Sequence, residues 1–116
     1  MSKTMNIELQ LKNKEALFKA LKRMNVRYEE NGVAKFWEDS AEGIVMYFKD
    51  WEFPAVVDAE TGVVKYDDMD SSRLDKLNEL KAYYGIELAK AEALKKGYTV
   101  TESVENNKLV LRIGMG

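Results

Sequence analysis

A chain of 116 residues, with 46% hydrophobic and 33% charged residues, has the size and composition of one globular domain. It has no cysteine and no histidine, which excludes disulfides, thiolate metal sites, cysteine nucleophiles and every Ser–His arrangement. Its formal net charge of −2 conceals a segregation of charge. Residues 1–28 carry seven basic and two acidic side chains, residues 29–70 carry three and twelve, and residues 71–116 carry eight and six. An acidic middle between basic ends is a charge distribution that favours binding to a partner molecule.

The first residues lack the apolar stretch of a secretory signal, and no run approaches the 18 apolar residues of a membrane span. We therefore expect a cytoplasmic location and no membrane partner.

The first elements are a strand and a helix. Met5, Ile7, Leu9 and Leu11 alternate with polar residues, which predicts a half-buried strand. Asn13 is then a candidate N-cap for an amphipathic helix over residues 14–25 with a basic outer surface. Asn at position 25 suits the left-handed residue that commonly ends a helix.

The acidic middle, residues 29–70, is predicted to form strands. Asn31-Gly32 lies between two strand-like runs, and this dipeptide predicts a hairpin turn because both turn positions need positive φ. Ile44–Phe48 is a predicted buried strand, and a second hairpin is expected around residues 59–62. Pro54 should place the start of that second hairpin at a sheet edge or bulge.

Helical periodicity returns over residues 71–96, with Asp70 or Ser71 as its N-cap, Gly97 as its stop and Gly85 in its interior. A final hairpin is predicted around Asn106-Asn107. These elements predict a single α+β domain over residues 1–116. It has two layers: a mostly antiparallel sheet of about six to eight short strands and two helices packed on one face.

The last third also carries a family resemblance. Tyr83–Val100 reads as a tyrosine-bearing helix that ends in Gly-Tyr and enters a strand, and Glu105–Arg112 supplies a polar turn and closing strand. Together with the opening strand and Asn13–Leu17, these segments resemble the uncharacterised family that includes the "Ycf thirty-five" proteins of plastids and cyanobacteria. The resemblance covers roughly residues 5–28 and 80–113. The family has no established activity, so no catalytic residue is implied. Its genes often lie beside those of AAA-type ATPases, which implies at most an accessory role.

The densest group of carboxylates is Asp67, Asp68 and Asp70, with Asp58 one hairpin away. One hypothesis is a hard-cation site, and with it a metal-dependent hydrolase. The alternative is structural, because acids favour the positive end of a following helix. We prefer the structural alternative, and with histidine and cysteine absent we predict no enzyme activity, no catalytic residue, no metal ion and no cofactor.

The favoured function is a small accessory protein that binds a protein partner through an acidic surface containing aromatic residues. Trp51, between Asp50 and Glu52, is the preferred candidate for an exposed ring. The predicted partner-binding residues are Glu38, Asp39, Glu42, Asp50, Trp51 and Glu52. A second hypothesis is an acidic decoy that mimics nucleic acid and occupies a basic enzyme site. The negative charge of the middle segment argues against direct nucleic-acid binding. The sequence is compatible with a monomer or a homo-oligomer.

Overall fold

The computed structural model describes residues 1–115, and the α+β class is confirmed there. In chain order the elements are β1 (Thr4–Glu8), α1 (Lys14–Arg23), β2 (Arg27–Lys35), β3 (Ser40–Tyr47), β4 (Ala55–Val57), β5 (Val63–Asp67), a 3-10 helix (Asp68–Arg73), α2 (Asp75–Lys95), β6 (Thr99–Glu105) and β7 (Lys108–Gly114). Five strands form an antiparallel sheet in the order β1-β5-β4-β3-β2, while β6 and β7 pair separately. The seven strands of the described chain therefore divide between two sheets.

Helix α1 begins and ends as its capping residues predict. The Asn13 side chain accepts a hydrogen bond from the Ala16 amide at 3.0 Å, which satisfies one of the free N–H groups of the first turn. Asn25 has φ of 56°, the left-handed conformation expected of a helix stop, and the helix itself ends two residues earlier at Arg23.

The predicted hairpin at Asn31-Gly32 is wrong. Strand β2 runs through both residues, and its pairing with β3 shifts register between Glu29 and Gly32, which marks a bulge. The chain reverses instead after Lys35, where the Phe36 amide donates to the Asp39 carbonyl at 2.8 Å. Neither Asn31 nor Gly32 has the positive φ that a hairpin turn at this dipeptide would require.

The second predicted hairpin is present between β4 and β5, and Gly62 in its turn has φ of 73°. Pro54 was expected to put this hairpin's start at an edge or bulge, but β4 is the central strand of the five. Pro54 directly precedes the first residue of β4, so its missing N–H falls outside the ladder.

The two helices pack on one face of the five-stranded sheet, as predicted. Ile44 and Met46 point from β3 to this face, where they meet apolar side chains of both helices. The buried residues that the helices contribute to this main core are Ala16, Leu17, Ala20, Leu21, Leu77, Leu80 and Tyr84. The Tyr84 hydroxyl accepts a hydrogen bond from the Asn13 amide at 3.0 Å, so α2 also supports the start of α1.

The opposite face of the sheet carries a smaller apolar cluster. Ala34, Phe36, Val45 and Val56 are buried there, and Phe53 packs against them half-buried. Along β3, Val45 alternates with Ile44 and Met46, and this alternation places Val45 on the face away from the helices.

The predicted helix after the acidic cluster begins differently from expectation. A 3-10 helix occupies residues 68–73, its N-cap is Asp67, and α2 starts at Asp75 without a side-chain cap. Neither Asp70 nor Ser71 has the predicted capping role. At the other end Gly97 has the positive φ expected of a stop, at 78°. No helix of residues 1–115 is long and apolar enough to cross a membrane.

The β6–β7 hairpin turns at Asn106-Asn107 as predicted, with φ of 53° and 62° at the two residues. It is attached to the helices by ion pairs. Arg23 of α1 lies 2.8 Å from the Glu87 carboxylate and 2.9 Å from that of Glu102, and Lys90 lies 2.9 Å from Glu102. The hydrogen bonds from Lys90 and Arg23 lower the pKa of Glu102. The described chain is elongated, with extents of 53 × 31 × 21 Å.

Two glycines offer opposite tests of this fold. A Cβ at Gly62 would lie 2.5 Å from the Leu11 amide nitrogen in a backbone of positive φ, whereas a Cβ at Gly85 would meet nothing within 4 Å. We expect Gly62→Ala to lower the free energy of unfolding by more than about 1 kcal/mol and Gly85→Ala, inside α2, to raise it by about 0.5–1 kcal/mol. Urea unfolding of both variants measures this. Equal stability of Gly62→Ala and the wild type would contradict the turn geometry.

Candidate functional site

Asp67 connects three segments of the chain. Its carboxylate is buried, and Oδ2 accepts a hydrogen bond from the Trp37 amide at 2.8 Å while Oδ1 accepts one from the Met69 amide at 3.0 Å. Trp37 lies in the turn after β2, and Met69 lies in the 3-10 helix. The position of the Trp37 backbone is therefore fixed by a charge-assisted hydrogen bond from outside its own turn.

Asp70 fixes a second loop in the same way. Its buried carboxylate accepts hydrogen bonds from the Glu52 amide at 2.8 Å and from the Phe53 amide at 3.1 Å. Arg73 donates to the same carboxylate at 2.8 Å and supplies the opposite charge. The loop between β3 and β4 is thereby tied to the 3-10 helix.

These bonds give three carboxylates of the acidic region structural roles. Asp67 and Asp70 use their oxygens on backbone amides, and Asp58 accepts from the Glu60 amide at 2.9 Å in the turn between β4 and β5. Within residues 1–115, no three acidic side chains are grouped so that they could hold a metal ion. Asp67 caps the 3-10 helix, as the structural interpretation expects of an acid before a helix. Asp70 is structural through the loop at 52–53, which the sequence did not predict.

The two tied loops enclose a groove. A depression of about 670 Å³ is lined by Met1, Ser2, Trp37, Glu52, Phe53, Asp68 and Met69. A second depression of about 450 Å³, lined by Met1, Ser2, Lys3, Trp37 and Glu38, shares the Trp37 ring with the first. We refer to the two depressions together as the Trp37 groove. The charged side chains that line the groove are three acids, Glu38, Glu52 and Asp68, and one base, Lys3.

Trp37 is the exposed aromatic ring at this site. The residue is 62% exposed although its backbone is held by Asp67. Half-buried Phe53 and exposed Met69 extend the apolar surface beside it. A large apolar side chain that is both exposed and held in place is typical of a binding surface.

The prediction that Trp51 is the exposed ring is wrong. Its ring packs against the main core, with its centroid 4.8 Å from that of Phe48 and 6.4 Å from that of Tyr66. Its buried Nε1 has no hydrogen-bond partner among the residues described. The flanking Asp50 and Glu52 are exposed, and Asp50 has a φ of 69°.

The other predicted binding residues are only partly brought together. Glu38 and Glu52 line the groove from its two sides. Asp39 lies in the same turn as Glu38, and both side chains accept hydrogen bonds from Thr4. Glu42 is exposed on β3 and Asp50 is exposed in the β3–β4 loop, but neither lines the groove.

Sequence reasoning did not select Trp37, Phe53, Asp68 or Met69 as a group. Neither Trp37 nor Phe53 is among the predicted partner-binding residues. The available signal was the position of Trp37 next to the acidic pair Glu38-Asp39. It was obscured because the predicted hairpin at Asn31-Gly32 placed Trp37 inside a strand.

The ionised form of Asp67 is favoured in the folded protein. Burial raises the pKa of this carboxyl, but hydrogen bonds to the carboxylate outweigh burial and the pKa lies below its usual range. The amides of Met69 and Trp37 supply two of them. The Ser2 hydroxyl is near enough to favour the carboxylate, although its oxygen completes no hydrogen bond of normal geometry within residues 1–115.

Comparisons of the chain with models of protein families, with curated proteins and with solved structures returned no match. The resemblance to the "Ycf thirty-five" family therefore stays a prediction.

Asp67→Asn should lower the free energy of unfolding at pH 7 by about 1–3 kcal/mol, because it removes a buried charged acceptor. The folded protein has the lower pKa, so the contribution of Asp67 is present at neutral pH and is lost as the pH falls below about 4, through the folded pKa. The variant should lose less stability on acidification. Urea unfolding between pH 7 and pH 3 measures both effects, with half-buried Asp68→Asn as the control. Parallel pH profiles for wild type and Asp67→Asn would refute this role.

Proposed function

We propose that this protein is a non-enzymatic accessory protein that binds a positively charged segment of a partner protein in the Trp37 groove. The observation that supports this most directly is the exposed side chain of Trp37. Its backbone amide is bound by Asp67, and Glu38, Glu52 and Asp68 line the same groove.

The fixed position of Trp37 favours affinity. Binding costs conformational entropy when side chains and loops become ordered on contact. The amides of Trp37, Glu52 and Phe53 already have charge-assisted hydrogen bonds. These loops should therefore lose little conformational entropy when a partner binds. A tryptophan presented in this way offers a large apolar surface and a polar N–H group to the partner.

The charge of the groove favours a basic partner segment. A lysine or arginine over the face of an indole gains a cation–π interaction, worth about 0.5–2 kcal/mol depending on exposure. Carboxylates of Glu38 and Glu52 on either side of Trp37 would add charge-assisted hydrogen bonds to the same cation. We therefore expect an arginine or lysine of the partner on Trp37, with an adjacent apolar residue against Phe53 and Met69.

The distribution of the remaining acids fits binding better than hydrolysis. Of the twelve carboxylates in residues 29–70, nine are exposed, so most of the acidic charge faces solvent and does not converge in a pocket. Such a surface accelerates association with a basic partner. An AAA-type ATPase, implied by the family resemblance, is one candidate partner.

Trp37→Ala should weaken partner binding by at least about 1–2 kcal/mol while changing the free energy of unfolding by less than about 0.5 kcal/mol. The partner is first captured with wild-type protein from native-host extract, identified by mass spectrometry and purified for calorimetric titration. Trp51→Ala should instead cost about 2 kcal/mol of stability, because its half-buried ring packs against the main core. Leu94→Ala, which removes another exposed apolar side chain, is the binding control. Unchanged affinity in Trp37→Ala, with salt-sensitive binding retained, would favour the decoy hypothesis.

A charge-reversed groove, Glu38→Lys with Glu52→Lys, should slow association with the same partner while the melting temperature stays close to wild type. Attraction between exposed charges is screened over about 8–10 Å at physiological ionic strength, so the wild-type association rate should fall as salt is added. Surface plasmon resonance at several salt concentrations measures the rates. The matched control is Asp50→Lys with Glu42→Lys, which reverses two exposed acids that do not line the groove. Equal slowing in both double variants would show that the groove has no special part in steering.

A further inference from the structure

The β6–β7 hairpin carries an apolar face that lies outside both apolar clusters of the described chain. Directly paired residues of the two strands share a face, and the face that includes Glu102 carries five apolar residues: Val100, Val104, Leu109, Leu111 and Ile113. We refer to these five as the hairpin apolar face. None of them is buried, and Val104 is 70% exposed. Exposed apolar patches of this kind mark interaction surfaces, and a two-stranded sheet is marginally stable without a further strand or a helix over it.

The backbone of β7 has a free edge beside this face. Strand β6 lies against α2, while the neighbour of β7 is β6. The two-residue turn at Asn106-Asn107 makes Glu105 and Lys108 a hydrogen-bonded pair, and such pairs alternate along an antiparallel ladder. The backbone N–H and C=O groups of every second β7 residue therefore point away from β6, and these residues are Leu109, Leu111 and Ile113. Within residues 1–115 these outward groups have no backbone partner.

The free edge of β7 is complementary to itself. An unpaired edge is a template for another strand, and a two-fold axis brings the same edge of two copies together antiparallel. With the axis at Leu111, Leu109 lies opposite Ile113 of the second copy, and Leu111 lies opposite its own counterpart. All three outward-pointing residues of each copy then exchange backbone hydrogen bonds. Because directly opposite residues share a face, the two hairpin apolar faces also join into one surface on a four-stranded sheet.

The charged residues of β7 select this register. They lie on the face opposite to the hairpin apolar face, where Lys108, Val110 and Arg112 follow one another. With the axis at Leu111, Arg112 lies opposite Val110 of the second copy, and Lys108 lies opposite Gly114. An axis at Val110 would instead set Lys108 against Arg112, and an axis at Arg112 would set the two arginines against each other. Like charges directly opposite destabilise a strand pair, so the register at Leu111 is favoured.

A depression beside Ile113 fits the same arrangement. It has a volume of about 250 Å³ and is lined by Ala89, Glu92, Ala93, Lys96, Tyr98 and Ile113. In the register centred on Leu111, the residue of the second copy directly opposite Ile113 is Leu109. An apolar side chain of the second copy is therefore placed next to a depression that α2 and Ile113 leave unfilled.

We propose that this protein forms a two-fold symmetric dimer through β7, with its axis at Leu111. The two hairpins form one continuous sheet in the order β6-β7-β7-β6. This interface uses no residue of the Trp37 groove, so the dimer does not depend on the proposed binding function.

Sedimentation equilibrium of the full chain measures the dimer dissociation constant. We expect the wild type to reach the mass of two chains as its concentration rises. Val110→Lys should weaken the dimer by about tenfold, because the symmetric interface sets the new lysine against Arg112 twice. Val110→Glu should tighten it by a similar factor, and a gain of affinity cannot arise from misfolding. Ser103→Lys, which adds the same charge to the same face of β6, one strand away from the interface, should leave the constant close to that of the wild type.

Single cysteines read the register, because the chain has no cysteine of its own. Leu111→Cys places two cysteines directly opposite each other, with Cα atoms about 5.5 Å apart, a separation that suits a disulfide. Leu109→Cys separates them by about 14 Å along the strands. Mild oxidation should therefore cross-link the first variant and leave the second as single chains on a non-reducing gel. A wild type that stays monomeric up to about 1 mM, equal effects of Val110→Lys and Val110→Glu, or preferential cross-linking of Leu109→Cys would each overturn the proposal.

Discussion

The hydrogen bonds of two buried carboxylates determine the arrangement of the candidate site. Asp67 and Asp70 together accept from four backbone amides, those of Trp37, Met69, Glu52 and Phe53. An ionised carboxylate is costly to bury unless its oxygens are paired, and amide donors at 2.8–3.1 Å meet that requirement. The loops after β2 and β3 are thereby held against the 3-10 helix. Without these bonds neither loop would have a fixed position relative to the other.

The unequal coverage of the sheet explains why a groove forms there. Both helices pack on one face, where the main core lies, while the other face has only a small cluster of buried side chains. Trp37, in the turn after β2, and Met69, in the 3-10 helix, both remain exposed.

The β6–β7 hairpin shows how a weak element is retained in the fold. A two-stranded sheet by itself is marginally stable in water, and no side chain of this hairpin is fully buried among the residues described. Glu102 compensates by accepting from Arg23 of α1 and Lys90 of α2, and Glu87 shares both cations. A network with several partners holds its geometry better than an isolated surface pair. These ion pairs attach the hairpin to both helices.

The sequence by itself determined the features that depend on neighbouring residues. Asn13 as a cap, Asn25 and Gly97 as stops, the turn at Asn106-Asn107 and the α+β class all follow from local conformational preferences and periodicity. The tertiary structure alone decided which strands pair and which polar groups are buried. Asn31-Gly32 is compatible with a turn or a bulge, and only the pairing of β2 with β3 selects the bulge. Likewise, the Trp37 backbone is held by Asp67 and the Trp51 ring packs against Tyr66, and both partners are more than a dozen residues away in the chain. Local sequence does not specify such contacts.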